Sequence, residues 1–118
     1  MKSNRLPDYL RQIQDAAMDA CDFTRDLTKE EFLTDKRTQR AVVMSLMIVG
    51  DAAGKVVDQF PEFAQAQPAV PWASMRGMRN RIAHGYLDIN LEVVWATVQT
   101  ALPELLAQLQ TTPQFPQS

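Results

Sequence analysis

The stretch AVVMSLMIVGDAAGKV, residues 41–56, constrains this chain most. A helix drawn through its middle is apolar on nearly every side, so it must be the most deeply buried element. It begins after Thr34 or Asp35, both suitable N-caps. It runs to about Phe60 and stops before Pro61, which disfavours helical backbone in the residue ahead of it. Gly50 and Gly54 lie one turn apart inside it. Each costs up to about 1 kcal/mol of helix propensity relative to alanine, and close approach of a neighbouring helix offsets that cost.

Three further helices are expected to cover this one. The first runs from about Pro7 to Leu27, with Leu6, Leu10, Ile13, Ala17, Ala20 and Leu27 recurring at three- and four-residue steps. Thr28 and Glu31 then have capping-box spacing, which starts a short helical turn. PEFAQAQPAVPW reads as a proline-punctuated loop. A short third helix spans about Trp72 to Ala83 or His84, and Gly85 stops it. Asp88 or Asn90 caps the fourth, which presents Leu91, Val94, Trp95, Val98, Leu102, Leu105, Leu106 and Leu109 on one face. Pro103 sits inside that helix and should kink or loosen it. The expectation is an all-α, four-helix up-and-down bundle over residues 1–110 with a loose C-terminal tail over 111–118.

The 118 residues fit one domain able to bury a core without cross-links. A net charge of -2 does not advertise nucleic-acid binding, so any RNA contact needs a local basic patch. A single cysteine, Cys21, rules out an intrachain disulfide. The N-terminal MKSNRLPDYLRQIQ lacks the apolar core of a signal peptide. The longest apolar run, Ala41–Val49, falls far short of the ~20 residues of a membrane span. A soluble, cytoplasmic protein with no membrane partner is the expectation. GDAAGK resembles a phosphate-binding loop, but it is one residue short, has Val56 where Ser or Thr would hold magnesium, and lies inside a helix. One histidine and one distant cysteine give no metal-ligand cluster, and no cofactor is expected. Met44 and Met47 share a helix side with Arg40, Asp51 and Asp58; they mark either a dimer surface or core filling.

RNRIAHGY, residues 79–86, holds the sole histidine, His84. At about 100° per residue, Trp72, Met75, Met78 and Ile82 share a core-facing arc, and Arg79 falls inside it. An arginine aimed at an apolar face is costly unless it is paired or opens into a cleft. Arg76, Asn80 and His84 form the adjoining stripe, and with Arg79 they span a polar sector of roughly 140°. Such a set suits RNA phosphodiester cleavage without a metal. A base takes the ribose 2′-OH proton, an acid protonates the leaving 5′ oxygen, and a cation stabilises the phosphorane. His84 fits base or acid, Arg79 the phosphoryl clamp, and Asn80 an orienting group. With one histidine per chain, a two-histidine mechanism needs a symmetric dimer. The plain structural alternative is a histidine acting as helix C-cap and an Arg79 paired with a carboxylate such as Asp51. Asp51 could equally pair with Lys55, one turn away.

RNRIAHGY resembles the signature of the HEPN superfamily: an arginine, a polar residue, and a histidine four intervening positions beyond the arginine. Tyr86, two residues later, is similar to the HepT-type branch, the toxin partner of a minimal nucleotidyltransferase. VVMSLMIVGDAAGKV resembles that branch's long second helix, and residues 70–109 are similar nearly throughout. The resemblance implies a HEPN-type four-helix bundle and a homodimer with the motif helices at a shared cleft. It implies a metal-independent endoribonuclease toxin of a type VII-like toxin–antitoxin pair, with Arg79 and His84 catalytic and Asn80 supporting, Arg76 and Asp51 lying beside them. It also implies that a nucleotidyltransferase antitoxin transfers AMP from ATP to Tyr86. Added bulk and negative charge there would block phosphate entry; the plain alternative for Tyr86 is a packing role. Arg76, Arg79 and Arg81 supply the local basic patch. A reading from another class is a catalytically weak partner subunit of a nucleotidyltransferase that holds nucleotide or RNA.

Overall fold

A computed structural model describes residues 4–113 and Phe115 and contains no strand among them. The four principal helices are present. They are α1 (Leu6–Thr24), α3 (Lys36–Gln59), α5 (Trp72–His84), and a last helix in which α6 (Leu91–Ala96) passes through a π turn (Thr97–Ala101) into α7 (Leu102–Gln110). Two short helices intervene, α2 (Lys29–Leu33) and α4 (Pro61–Gln65). The most extensive packing joins α1 to α3 and α3 to α5, and the last helix lies on α1. The 41–56 stretch is therefore central. Val42, Val43, Leu46, Val49, Ala52, Ala53 and Val56 are all buried, together with Leu6, Leu10, Ile13, Ala17 and Ala20 of α1.

The local signals explain the boundaries. Thr28 and Glu31 form the reciprocal capping box at the start of α2. This turn places Phe32 in the core, fully buried and 5.4 Å from the Trp95 ring. Burying such a side chain contributes about 1.5–3 kcal/mol. Asn90 accepts hydrogen bonds from the N–H groups of Glu92 and Val93 and caps α6. The first helix ends at Thr24, about a turn earlier than the periodicity suggests; the Thr24 hydroxyl donates back to the carbonyls of Ala20 and Cys21.

The stretch after Phe60 differs from the loop reading, because α4 occupies its first turn. Pro61 stands at the first helical position, where its missing N–H is not needed and its fixed φ suits the helix. The Trp72 indole N–H then reaches back to the carbonyls of Ala64 (3.1 Å) and Gln67 (3.3 Å), which ties this connection to the start of α5. Pro103 acts as expected. The Leu102 N–H donates to Thr97, five residues back, and Pro103 has no N–H to offer. The Val98 carbonyl accepts instead from the Cys21 thiol of α1 at 3.8 Å. At the C-terminal end Thr112 and Phe115 are buried against the helices. Residues 114 and 116–118 of the expected loose tail lie outside the described residues.

Asp35 caps the central helix. The Thr38 hydroxyl (2.7 Å) and the Thr38 N–H (3.1 Å) both donate to its carboxylate, and these bonds hold its pKa below the ordinary value. A carboxyl depressed in the folded state contributes stability above its unfolded pKa of about 3.9 and loses it as the pH falls through the folded value. Asp35→Asn keeps an acceptor but no longer titrates. Chemical denaturation followed from neutral pH down past pH ~4 should therefore show a shallower stability loss in this variant than in the parent.

Candidate functional site

The site is set by how closely α5 crosses α3. A Cβ built on Gly50 would lie 2.2 Å from the Arg79 Cβ and 2.6 Å from the Met75 carbonyl oxygen, so only glycine fits there. The Arg79 stem occupies the space that a Gly50 side chain would take. The apolar arc of α5 is as expected: Trp72, Met75 and Ile82 are buried and Met78 is half-buried. Arg79 resolves its conflict with that arc by laying its methylenes on the Gly50 backbone and sending its guanidinium outward, as long cationic side chains do.

That guanidinium faces an open polar hollow of about 270 Å³. The α3 side supplies Asp51, Lys55 and Asp58, and the α5 side supplies Arg76, Arg79 and Asn80. Two carboxylates thus meet three cations. Asp51 pairs with Lys55 (3.4 Å), the nearer of its two expected partners. Asp58 receives both Arg76 amino groups in a fork, at 3.0 and 2.9 Å. Arg79 holds no carboxylate among the described residues; its Nη1 donates to the Asn80 side-chain oxygen at 3.2 Å. A second hollow, of about 380 Å³, opens on the other side of Arg79 between Gln12, Met47, Ile48 and Asp51. Asp58 escaped the sequence reading as the partner of Arg76. The two stand 18 positions apart, and only the packing of α5 on α3 brings them together.

His84 lies elsewhere in the chain. It is exposed in the last turn of α5 and lines a different hollow with Arg81, Asp88 and Val93. It stands five positions after Arg79 on the helix, which amounts to about 140° of rotation and about 7.5 Å of rise. The structure therefore gathers Arg76, Arg79, Asn80 and Asp51 at one hollow and sets His84 around the helix from them. Tyr86 follows in a 3-10 turn, Tyr86–Asp88, with 38% of its surface exposed; Leu87 beside it is 91% exposed.

Other nucleophile and ligand options are thin. Burial, more than the nearby Asp22, pushes the Cys21 thiol above its usual pKa, which disfavours the thiolate. Among the described residues no three His, Cys, Asp or Glu side chains cluster as metal ligands, and no helix is long and apolar enough to cross a membrane. Met44 is 60% exposed while Met47 packs against the core, so core filling holds for Met47 and not for Met44.

Residues 13–112 match the family model described as Ribonuclease HepT-like. The chain belongs to the HepT-like ribonuclease family. A Methanocaldococcus jannaschii protein named "Putative RNase" is 38% identical over 86% of this chain and 82% of its own. The "Probable ribonuclease HepT" of Thermococcus cleftensis is 35% identical over 87% of this chain and 91% of its own. A Caldanaerobacter subterraneus protein, also named "Putative RNase", is 34% identical over 86% and 88%. No solved structure matches at comparable significance. Membership agrees with the resemblance read from RNRIAHGY and with the all-α architecture.

The two glycines of α3 make the crossing testable. Gly54→Ala would place its Cβ at an ordinary 3.4 Å from the Arg76 Nε. It should leave stability unchanged or raise it by up to about 1 kcal/mol through helix propensity. Gly50→Ala must push α5 away and should cost roughly 1–3 kcal/mol. Paired thermal and urea melts of the two variants check this.

Proposed function

We propose that this protein is a metal-independent endoribonuclease toxin whose catalytic groups are Arg79 and His84, with Asn80 in support. One observation carries the reading: every carboxylate of the α3–α5 hollow is already held by Lys55 or Arg76, while the Arg79 guanidinium keeps free donors pointed into open space. A fork of N–H donors in a partly shielded hollow suits a phosphodiester oxygen pair. Family membership and the relatives named as RNases support the substrate class.

The chemistry follows from those groups. An imidazole removes the 2′-OH proton, and the 2′ oxygen attacks phosphorus. Arg79 balances the extra charge on the phosphorane. The 5′ oxygen leaves with a proton from an acid, which yields a 2′,3′-cyclic phosphate and a 5′-hydroxyl. Each chain supplies one imidazole, set around α5 from its own Arg79. A symmetric homodimer would bring an Arg79 and a His84 from different copies together, so dimerisation belongs to the proposal. Exposed Ile48, which lines the second Arg79 hollow, and exposed Met44 one helical turn before it are compatible with that contact. Arg76 and Asp51 shape the hollow through their ion pairs rather than touching the phosphate.

Control is proposed at Tyr86. A nucleotidyltransferase antitoxin would transfer AMP from ATP to its phenol oxygen, releasing pyrophosphate. The exposure of Tyr86 and its place two residues past His84 support this. A phosphodiester attached there adds negative charge and bulk where RNA must enter.

Expression of the protein should arrest growth, and His84→Ala should relieve the arrest. A wild type that leaves growth and RNA untouched would favour a binding subunit instead. With purified protein and a defined RNA, His84→Ala should lower kcat about 10²–10⁴-fold and Arg79→Ala about 10²–10³-fold, while EDTA leaves the rate unchanged. Intact mass after incubation with the antitoxin and ATP should rise in AMP steps, and Tyr86→Phe should abolish the rise.

A further inference from the structure

The hollow beside His84 differs in character from the one beside Arg79. It measures about 500 Å³, within the range of small-molecule pockets. Its walls are apolar, formed by Met78, Ile82, Ile89 and Val94, with Val93 half-exposed at the lip. Three ionisable side chains stand at its rim: Arg81, His84 and Asp88. None of the three has a hydrogen-bond or ion-pair partner among the described residues. The Asp88 carboxylate folds toward Gly85, where a Cβ would come within 3.3 Å of its oxygen.

We infer that this hollow binds an unpaired guanine of the RNA beside the bond to be cut. The inference rests on the ribonuclease reading above and adds base recognition to it. Apolar walls suit the flat face of a base, and a free carboxylate argues against a phosphate in the same space. Unpaired RNA bases are commonly read by side chains on their Watson–Crick edge. A carboxylate only accepts hydrogen bonds. Guanine turns two parallel donors, N1–H and the N2 amine, to one edge. Adenine and cytosine set one amine beside a ring nitrogen lone pair, and uracil sets one N–H between two carbonyls. Asp88 therefore favours guanine over each alternative. Arg81 and His84 flank the same opening, where the backbone phosphates next to that base would run.

The test is binding of single-stranded 2′-O-methyl oligonucleotides, which cannot be cleaved, differing at one position: guanine, hypoxanthine, adenine, uracil or no base. Wild-type protein should bind the guanine oligonucleotide about tenfold or more tightly than the hypoxanthine one, which lacks the N2 amine. Asp88→Asn should reduce that preference to within about twofold. Val93→Phe, which fills the lip from an exposed position, should bring every base to the abasic level. Thermal melting verifies that both variants fold. Equal wild-type affinity for all five oligonucleotides overturns the inference. So does a change in solution mass of Val93→Phe with base preference intact, since a second copy would then cover the hollow. Cleavage of ordinary RNA without base preference overturns this inference and spares the ribonuclease reading. Guanine-selective binding with ordinary RNA left intact overturns the ribonuclease reading and leaves the guanine pocket standing, and no binding of any oligonucleotide overturns this inference.

Discussion

The contact between the Gly50 backbone and the Arg79 stem governs this molecule. It sets how near α5 can come to α3, and that distance decides what else can touch. At this separation Arg76 reaches Asp58 with both amino groups, Met75 and Trp72 reach the core, and the Arg79 guanidinium emerges at the edge of the packing. A wider crossing would leave the arginine stem in water and the α5 apolar arc half-filled. The glycine that weakens the central helix by itself is what lets a cation sit on an apolar face without being sealed inside it.

The same crossing reconciles an acidic chain with an anionic substrate class. Bulk charge is -2, yet charge acts over roughly a Debye length of about 8 Å in physiological salt. Within the α3–α5 hollow the carboxylates are neutralised in place, and Arg79 contributes the surplus. The ion pairs there are solvent-exposed and worth little to stability. Their consequence is electrostatic: each removes a competitor for the Arg79 donors.

Much of this was legible in the residues. The all-apolar girth of residues 41–56 marked the buried helix, and Gly50 announced a close neighbour. The Thr28–Glu31 spacing, the Asn90 cap and the Pro103 disturbance were local signals with local causes, and each appears in the structure. Periodicity placed Arg79 within the α5 apolar arc, and an outlet was the physical requirement that followed. The sequence was silent where a contact depends on two helices meeting. Nothing in spacing ties Arg76 to Asp58, selects Lys55 over Arg79 for Asp51, or folds Thr112 and Phe115 against the helices. α4 was hidden for another reason: a proline was read as a breaker where it opens a helix.

A helical wheel groups Arg79 and His84 into one sector, yet a sector 140° wide is too broad for one cleft. On a helix lying against a neighbour, groups that far apart fall on opposite sides of the contact line. Here α3 runs along that line: Arg79 emerges beside α3, and His84 emerges beside α6 and the Tyr86 turn. A single chain thus offers a guanidinium without a carboxylate partner on one flank of α5 and an imidazole on the other. In the proposed homodimer a two-fold axis would set one flank against the other. In that arrangement the proposed modification of Tyr86 would act on the His84 side and leave Arg79 untouched. Tyr86 is exposed and lies two residues past His84 in the chain, so bulk added there would sit nearer the imidazole end of α5 than the Gly50 contact.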